Sequence, residues 1–166
     1  MLGLLYQINR KGQKMFDNPV HIFDLDGTVI DSRHRYASLP NGDIDLPHWL
    51  EKNTPENIML DKLLPRAATM RQVFNEGLHT IICTARQFQQ ADFDFLARHN
   101  LLADAILFRP TGVTDGDADL KEYMLDEYLS GHDTCLEAIR AVMYEDNISV
   151  IQRLRRRGVL CSLEIY

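Results

Sequence analysis

Apolar residues in this chain gather into short unbroken runs separated by amphipathic stretches. The runs VHIFDL (20–25), HTIICT (79–84), AILFR (105–109), VMYE (142–145) and VLCSLEI (159–165) read as strands, and their continuous apolar character fits a sheet covered on both faces. Between them, 61–76 reads as a helix ending at Gly77, and 87–99 as another with Phe88, Ala91, Phe95 and Leu96 near helical spacing. Helix is expected again over 118–129 and 132–140, broken at Ser130-Gly131. The last helix, 147–157, sets Ile148, Ile151 and Leu154 on one face before Gly158 stops it. Strands alternating with helices predict βαβ units, hence an α/β fold with a mainly parallel five-stranded sheet. Only 31–60 departs from this rhythm. Pro40, Asn41, Gly42 and Pro47 mark it as a loop-rich insertion with one short helix at 47–53.

Composition narrows the picture. A chain of 166 residues can bury one sizeable core, so residues 20–166 are expected to form one domain behind an N-terminal extension, 1–19. In that extension the basic residues follow the short apolar start, opposite to the order of a secretory signal. A net charge of −6 provides no global field that would draw the protein to nucleic acid or anionic lipid. No apolar run approaches the roughly 20 residues that span a bilayer. The three widely spaced cysteines suit buried thiols in a reducing compartment, which points to a cytoplasmic protein.

The first strand ends on two acids, Asp24 and Asp26. Residues two apart in extended chain point the same way, so both carboxylates project into one crevice at the edge where open α/β sheets bind ligands. Two other strand ends bring chemistry to that edge: Thr84 and Arg86 after IICTAR, and Glu145 and Asp146 in MYEDN. Converging carboxylates become tolerable when a hard divalent cation neutralises them, and Mg²⁺ typically takes a few carboxylates while keeping several waters. Lys121, near the start of the 118–129 helix, supplies a complementary positive charge.

The series Asp24-Leu25-Asp26-Gly27-Thr28, Thr84, Lys121 and Glu145-Asp146 resembles the four ordered motifs of the haloacid dehalogenase superfamily. The resemblance implies a Rossmann-like three-layer sandwich and a phosphoric monoester hydrolase working through an aspartyl-phosphate. Asp24 would be the nucleophile, Asp26 the acid and then base, Thr84 a hydrogen-bond donor to the phosphoryl group, and Lys121 a bridge between Asp24 and that group. The Mg²⁺ would be held by Asp24, the backbone carbonyl of Asp26 and Asp146, with Glu145 ligating or orienting a water. DGTVIDSRHRY, Trp49, CTAR, LFRPTG and EDNISVIQRLRRRGV are further similar to the phosphatase domain of phage-type polynucleotide kinase/3′-phosphatases. No G-x-x-x-x-G-K-[ST] run is present, so a kinase half is not expected.

The 31–60 insertion is too short for a full cap domain, and an open site suits a large substrate. Arg86 and Arg109, past strand ends, are candidates to clamp a phosphate. Arg33, His34 and Arg35 are candidates to meet a nucleic-acid backbone, and Trp49 offers a flat face for a base. The expected substrate is a phosphorylated nucleic-acid end, making the protein a polynucleotide 3′-phosphatase. The alternatives are a 5′-nucleotidase or other small-molecule phosphatase on the same residues and, in a different class, a catalytically silent binding module. RLRRR (153–157) lies at the far end of the last helix, where cations complement the helix dipole, and reads as a solvated face.

Overall fold

The computed structural model describes residues 16–37, 39–40 and 45–166. Five strands form one parallel sheet: β1 (Val20–Phe23), β4 (Thr80–Thr84), β5 (Ala105–Phe108), β6 (Ala141–Glu145) and β7 (Leu160–Leu163). Their order is β5-β4-β1-β6-β7, with β1 central. All five strands expected from the sequence are present, and every pairing between them is parallel. Phe23 stands opposite both Ile82 and Tyr144, so β1, β4 and β6 end at one edge.

Helices cover both faces, each through an apolar stripe. α3 (Arg66–Asn75) and α4 (Gln90–Arg98) close one side with Ala67, Met70, Val73, Phe95 and Leu96 against Phe23, Ile82 and Ile106. α5 (Asp117–Ser130) and α6 (Ile148–Arg156) close the other with Met124, Leu125, Val150 and Leu154 against Ile22, Ile81 and Met143. Burying one such Leu or Met side chain is worth about 1.5–3 kcal/mol, and the two half-cores fix the sheet between them.

Three expectations are corrected. The helix over 132–140 is only a 3₁₀ turn at Leu136–Ala138, because Gly131 and the left-handed Asp133 (φ 56°) end α5 and redirect the chain. The helix expected from residue 61 begins at Arg66, since Lys62–Leu63 form a short strand, β3, paired antiparallel with β2 (Ile30–Asp31). Two-residue strands carry no periodic signal. Cys83 is buried but Cys135 is exposed, and all three cysteines are free. The insertion expected at 31–60 is thus pinned at both ends by the β2–β3 pair and carries α1 (Leu46–Lys52) and α2 (Pro55–Ile58). Phe16, inside the expected extension, packs edge-on against His79 and His132; residues 1–15 lie outside the described part. Among the described residues no helix is long and apolar enough to cross a membrane.

Candidate active site

Asp24 is the first residue beyond β1, and its N–H donates to the Tyr144 carbonyl at 3.0 Å. The chain then wraps tightly around one acceptor. The N–H groups of Thr28, Val29 and Ile30 all donate to the Leu25 carbonyl, at 3.2, 2.9 and 2.8 Å. This turn takes Gly27 to φ +77°, and a Cβ there would lie 2.1 Å from Asp146 Oδ2, so backbone and space both demand glycine.

Lys121 enters from α5 on the same face as Leu125 and Tyr128, on the helix's buried side. Its Nζ donates to Asp24 Oδ1 at 2.6 Å and to Glu145 Oε2 at 2.7 Å, and all three residues are buried. An ammonium in a core stripe is sustained by such partners. Glu145 uses its second oxygen to accept from the Asn147 N–H at 3.1 Å, just before α6.

Asp24, Glu145 and Asp146 each offer an oxygen within 4.8 Å of the others. One ammonium does not neutralise three carboxylates. Burial first, then repulsion from Glu145, pushes Asp24 up to about 8 despite Lys121. Burial and the Asp24 charge push Asp146 up to about 6, and burial raises Glu145 as well. An all-oxygen set with surplus negative charge and one exposed member, Asp146, fits a hard divalent cation such as Mg²⁺.

Asp26 lies in a different field. Arg86 grips it with Nε to Oδ2 at 3.0 Å and Nη2 to Oδ1 at 2.5 Å, and the Ser32 hydroxyl donates to Oδ1 at 2.5 Å. Burial pushes this carboxyl up, but the Arg86 charge and the hydrogen bonds from Arg86 and Ser32 outweigh it and leave it below the ordinary range. Thr84 closes β4, accepting from the Arg86 N–H at 3.2 Å, which leaves its hydroxyl proton to donate.

These groups open into a cleft of about 870 Å³, which Arg86, Arg109 and Trp49 also line. Arg109 is committed to the cleft's lip: it donates to the carbonyls of Ala85, Val113 and Asp115 and pairs with Asp117. Trp49 lies under the Arg35 guanidinium, 4.6 Å from its ring centroid. Arg33, His34 and Arg35 do not line the cleft, because the 3₁₀ turn at Arg33–Arg35 points them at the insertion's own groups. Arg33 pairs with Asp31 at 2.6 Å, and His34 Nε2 contacts the Asn57 carbonyl at 2.9 Å. Arg35 is fully buried, forked onto Asp61 at 3.0 and 2.6 Å and donating to Asn53 at 2.8 Å.

Tyr36, which follows Arg35 and is a candidate to stack on a base, does line the cleft. The cleft also takes in residues the sequence did not single out: Leu50 and Asn53 from the insertion, Gly112 to Asp115 from the lip, and Gln87 and Asn147 from strand-end loops. Asn147 was legible as the cap of α6, where it accepts from the Ser149 N–H at 3.0 Å. Nothing local marks Asn53.

Several solved structures share this architecture. One is a chain of the Pnkp1/Rnl/Hen1 complex, with a TM-score of 0.65 and 21% identity over 94% of this chain and 50% of that one. D,D-heptose 1,7-bisphosphate phosphatase from B. bronchiseptica, complexed with magnesium and phosphate, gives a TM-score of 0.59 and 19% identity over 88% of this chain and 80% of that one. A haloacid dehalogenase-like hydrolase, SP0104 from Streptococcus pneumoniae, gives 0.58 and 14% over 86% and 83%. The fold is therefore that of the haloacid dehalogenase superfamily. In sequence, the 5′-deoxynucleotidase of Escherichia phage T5 is 40% identical over 86 residues, which make up 49% of this chain but 35% of that protein. The match spans about a third of that relative's length. Residues 12–112, which carry Asp24, Asp26, Thr84, Arg86 and the whole insertion, match the profile of one family, and the chain belongs to it: the bacteriophage T5 5′-deoxynucleotidase family.

Proposed function

We propose that the protein is a Mg²⁺-dependent phosphomonoesterase that hydrolyses deoxynucleoside 5′-monophosphates. The observation that carries the substrate class is the charge of the cleft. Among the described residues its cations, Arg86, Arg109 and Lys121, are all paired within the protein, while the carboxylates that line it number six: Asp24, Asp26, Asp115, Asp117, Glu145 and Asp146. A polynucleotide brings a string of phosphates, and tracking them takes unpaired Lys and Arg along the groove. A mononucleotide brings a single phosphate to the cation site. Tyr36, Trp49 and Leu50 then offer an apolar wall for the base. The family membership and the T5 relative's activity support the same reading.

Asp24 and Asp146 would hold the cation with the Asp26 carbonyl, while Glu145, both oxygens engaged, would orient Lys121. When bound, the ion screens the charge of Asp24 and of the incoming phosphate. Asp24 attacks phosphorus through one carboxylate oxygen and would hold the cation through the other; Lys121 Nζ donates to its Oδ1 and the Thr28 hydroxyl to its Oδ2. Lys121 stabilises the charge on the transferring oxygens, and Thr84 donates to one of them. Asp26 faces the leaving group and then the attacking water. Held as a carboxylate by Arg86, it is ready for the second step; for the first it must carry a proton.

A substrate panel tests this reading. Deoxynucleoside 5′-monophosphates, ribonucleotides, a 3′-phosphorylated oligonucleotide and a sugar phosphate are compared for phosphate release with Mg²⁺ present or chelated. The expected result is highest kcat/KM on the deoxynucleotides and loss of activity on chelation. Activity confined to the oligonucleotide would instead establish a polynucleotide 3′-phosphatase, the second reading, which the openness and size of the cleft favour.

A further inference from the structure

The insertion does more than wall the cleft: it is wired to Asp26. Asp61, between α2 and β3, is buried with no exposed side-chain surface and takes a two-bond fork from Arg35, which is equally buried. The same Asp61 Oδ2 accepts from Arg86 Nη2 at 3.2 Å. Arg86 holds Asp92 with Nη1 at 2.7 Å, and Asp92 Oδ2 accepts from the Gln89 N–H in the capping box of α4. Arg86 is thus fixed on two sides, by the insertion through Asp61 and by the body of the fold through Asp92. Its remaining donors form the fork on Asp26. A planar guanidinium anchored at two points has little freedom left, and so sets the angle at which Asp26 faces the cleft.

We infer that Asp61, held by Arg35, is a positioning residue that acts through Arg86 to aim the Asp26 carboxyl at the leaving-group oxygen. The inference rests on the phosphomonoesterase reading above. Its step starts with Asp26 protonated: the P–O ester bond breaks as an Asp24 carboxylate oxygen bonds to phosphorus, and the Asp26 proton passes to the departing oxygen, leaving Asp26 as the carboxylate that Arg86 holds. Misaiming Asp26 matters for a departing alkoxide, which needs that proton, and hardly at all for a nitrophenolate, which leaves without it.

The test compares kcat/KM for a deoxynucleoside 5′-monophosphate and for p-nitrophenyl phosphate in wild type and in Asp61→Asn. Because kcat/KM reports steps only through the first irreversible one, the shared hydrolysis of the aspartyl-phosphate does not enter. The expected result is a loss of about tenfold or more on the nucleotide, within the range a general acid supplies, with about threefold or less on the aryl ester. Equal losses on both esters, or no loss on either, overturn the proposal. The retained aryl activity also reports that the variant is folded. Should Asp61→Asn not fold, Arg35→Lys, which keeps the charge but cannot fork onto Asp61, is read by the same two ratios and decides. A wild type inactive on nucleotides but active on another alkyl phosphate overturns the functional reading alone, and the leaving-group comparison then runs on that ester. A wild type that cleaves no phosphomonoester overturns both.

Discussion

Two arginine clusters in this protein use the same chemistry in opposite surroundings. At the cleft, Arg35 and Arg86 share Asp61, and Arg86 also holds Asp92, with almost no solvent, while Asp26, held by Arg86, stands at the solvent edge of the cluster. On the far face, Arg153 and Arg157 of the RLRRR run join α6 to α5 through Asp119, Glu122 and Asp126, with Glu137 beyond. The RLRRR run expected to be a solvated face is a seam between two helices at these two arginines, and its pairs remain open to water. In the buried cluster Arg35, Arg86, Asp61 and Asp92 have been stripped of hydration and depend on their partners; on the surface, water replaces whatever is lost. Pair count is similar in the two places, but the consequence of breaking a pair is not.

Mutation can break that contrast, beginning with the deepest cation. Lys121→Met strands Asp24 and Glu145 against each other; phosphate release should fall by about 10²–10³ or more, and the loss should persist at saturating substrate. Next, Arg35→Met leaves Asp61 with only part of its compensation, and denaturant unfolding should register a loss of about 3–5 kcal/mol. The Asp24 and Asp146 carboxyls respond to pH. Asp24 and Asp146 are held above their ordinary values, up to about 8 and about 6, so between about 4 and about 8 the unfolded chain releases protons that the folded, metal-free protein retains. Their contribution to metal-free stability therefore declines as pH rises through that window, and Mg²⁺ should raise the melting temperature most at its upper end. A thermal shift from Mg²⁺ that grows toward acid pH would contradict this. The smallest effect belongs to the surface: Arg157→Ala should cost less than about 1 kcal/mol, shrink further in high salt, and leave kcat/KM unchanged.

The same contrast governs what the sequence could reveal. Asp24, Thr84, Glu145 and Asp146 were legible because backbone period and strand ends fix where they go, and these are local properties. Lys121 was legible only through a motif; its burial on the inner side of α5 shows in the structure. The partners of Arg86 were not, since its carboxylates come from residues 26, 61 and 92, and nothing in CTAR says which acid the guanidinium meets. Arg35 read as a backbone contact for the same reason: an arginine in a polar loop looks the same whether it faces solvent or folds inward onto Asp61. The β2–β3 pair, two residues a side, falls below any periodic signal, yet it fixes the insertion against the cleft.

Gly27 belongs to neither cluster and carries no chemistry, but it sets the gap between Asp26 and Asp146. The missing carbon at 27 is what lets the Asp26 turn and the Asp146 carboxylate occupy adjacent space, 2.1 Å being far inside any contact distance. The glycine therefore acts as a gauge: its absent side chain lets the Asp26 turn and the Asp146 carboxylate stand this close together. A relative could keep every charged residue named here and still lose the site through one added methyl at this position, a lesion that an inventory of reactive groups would not detect.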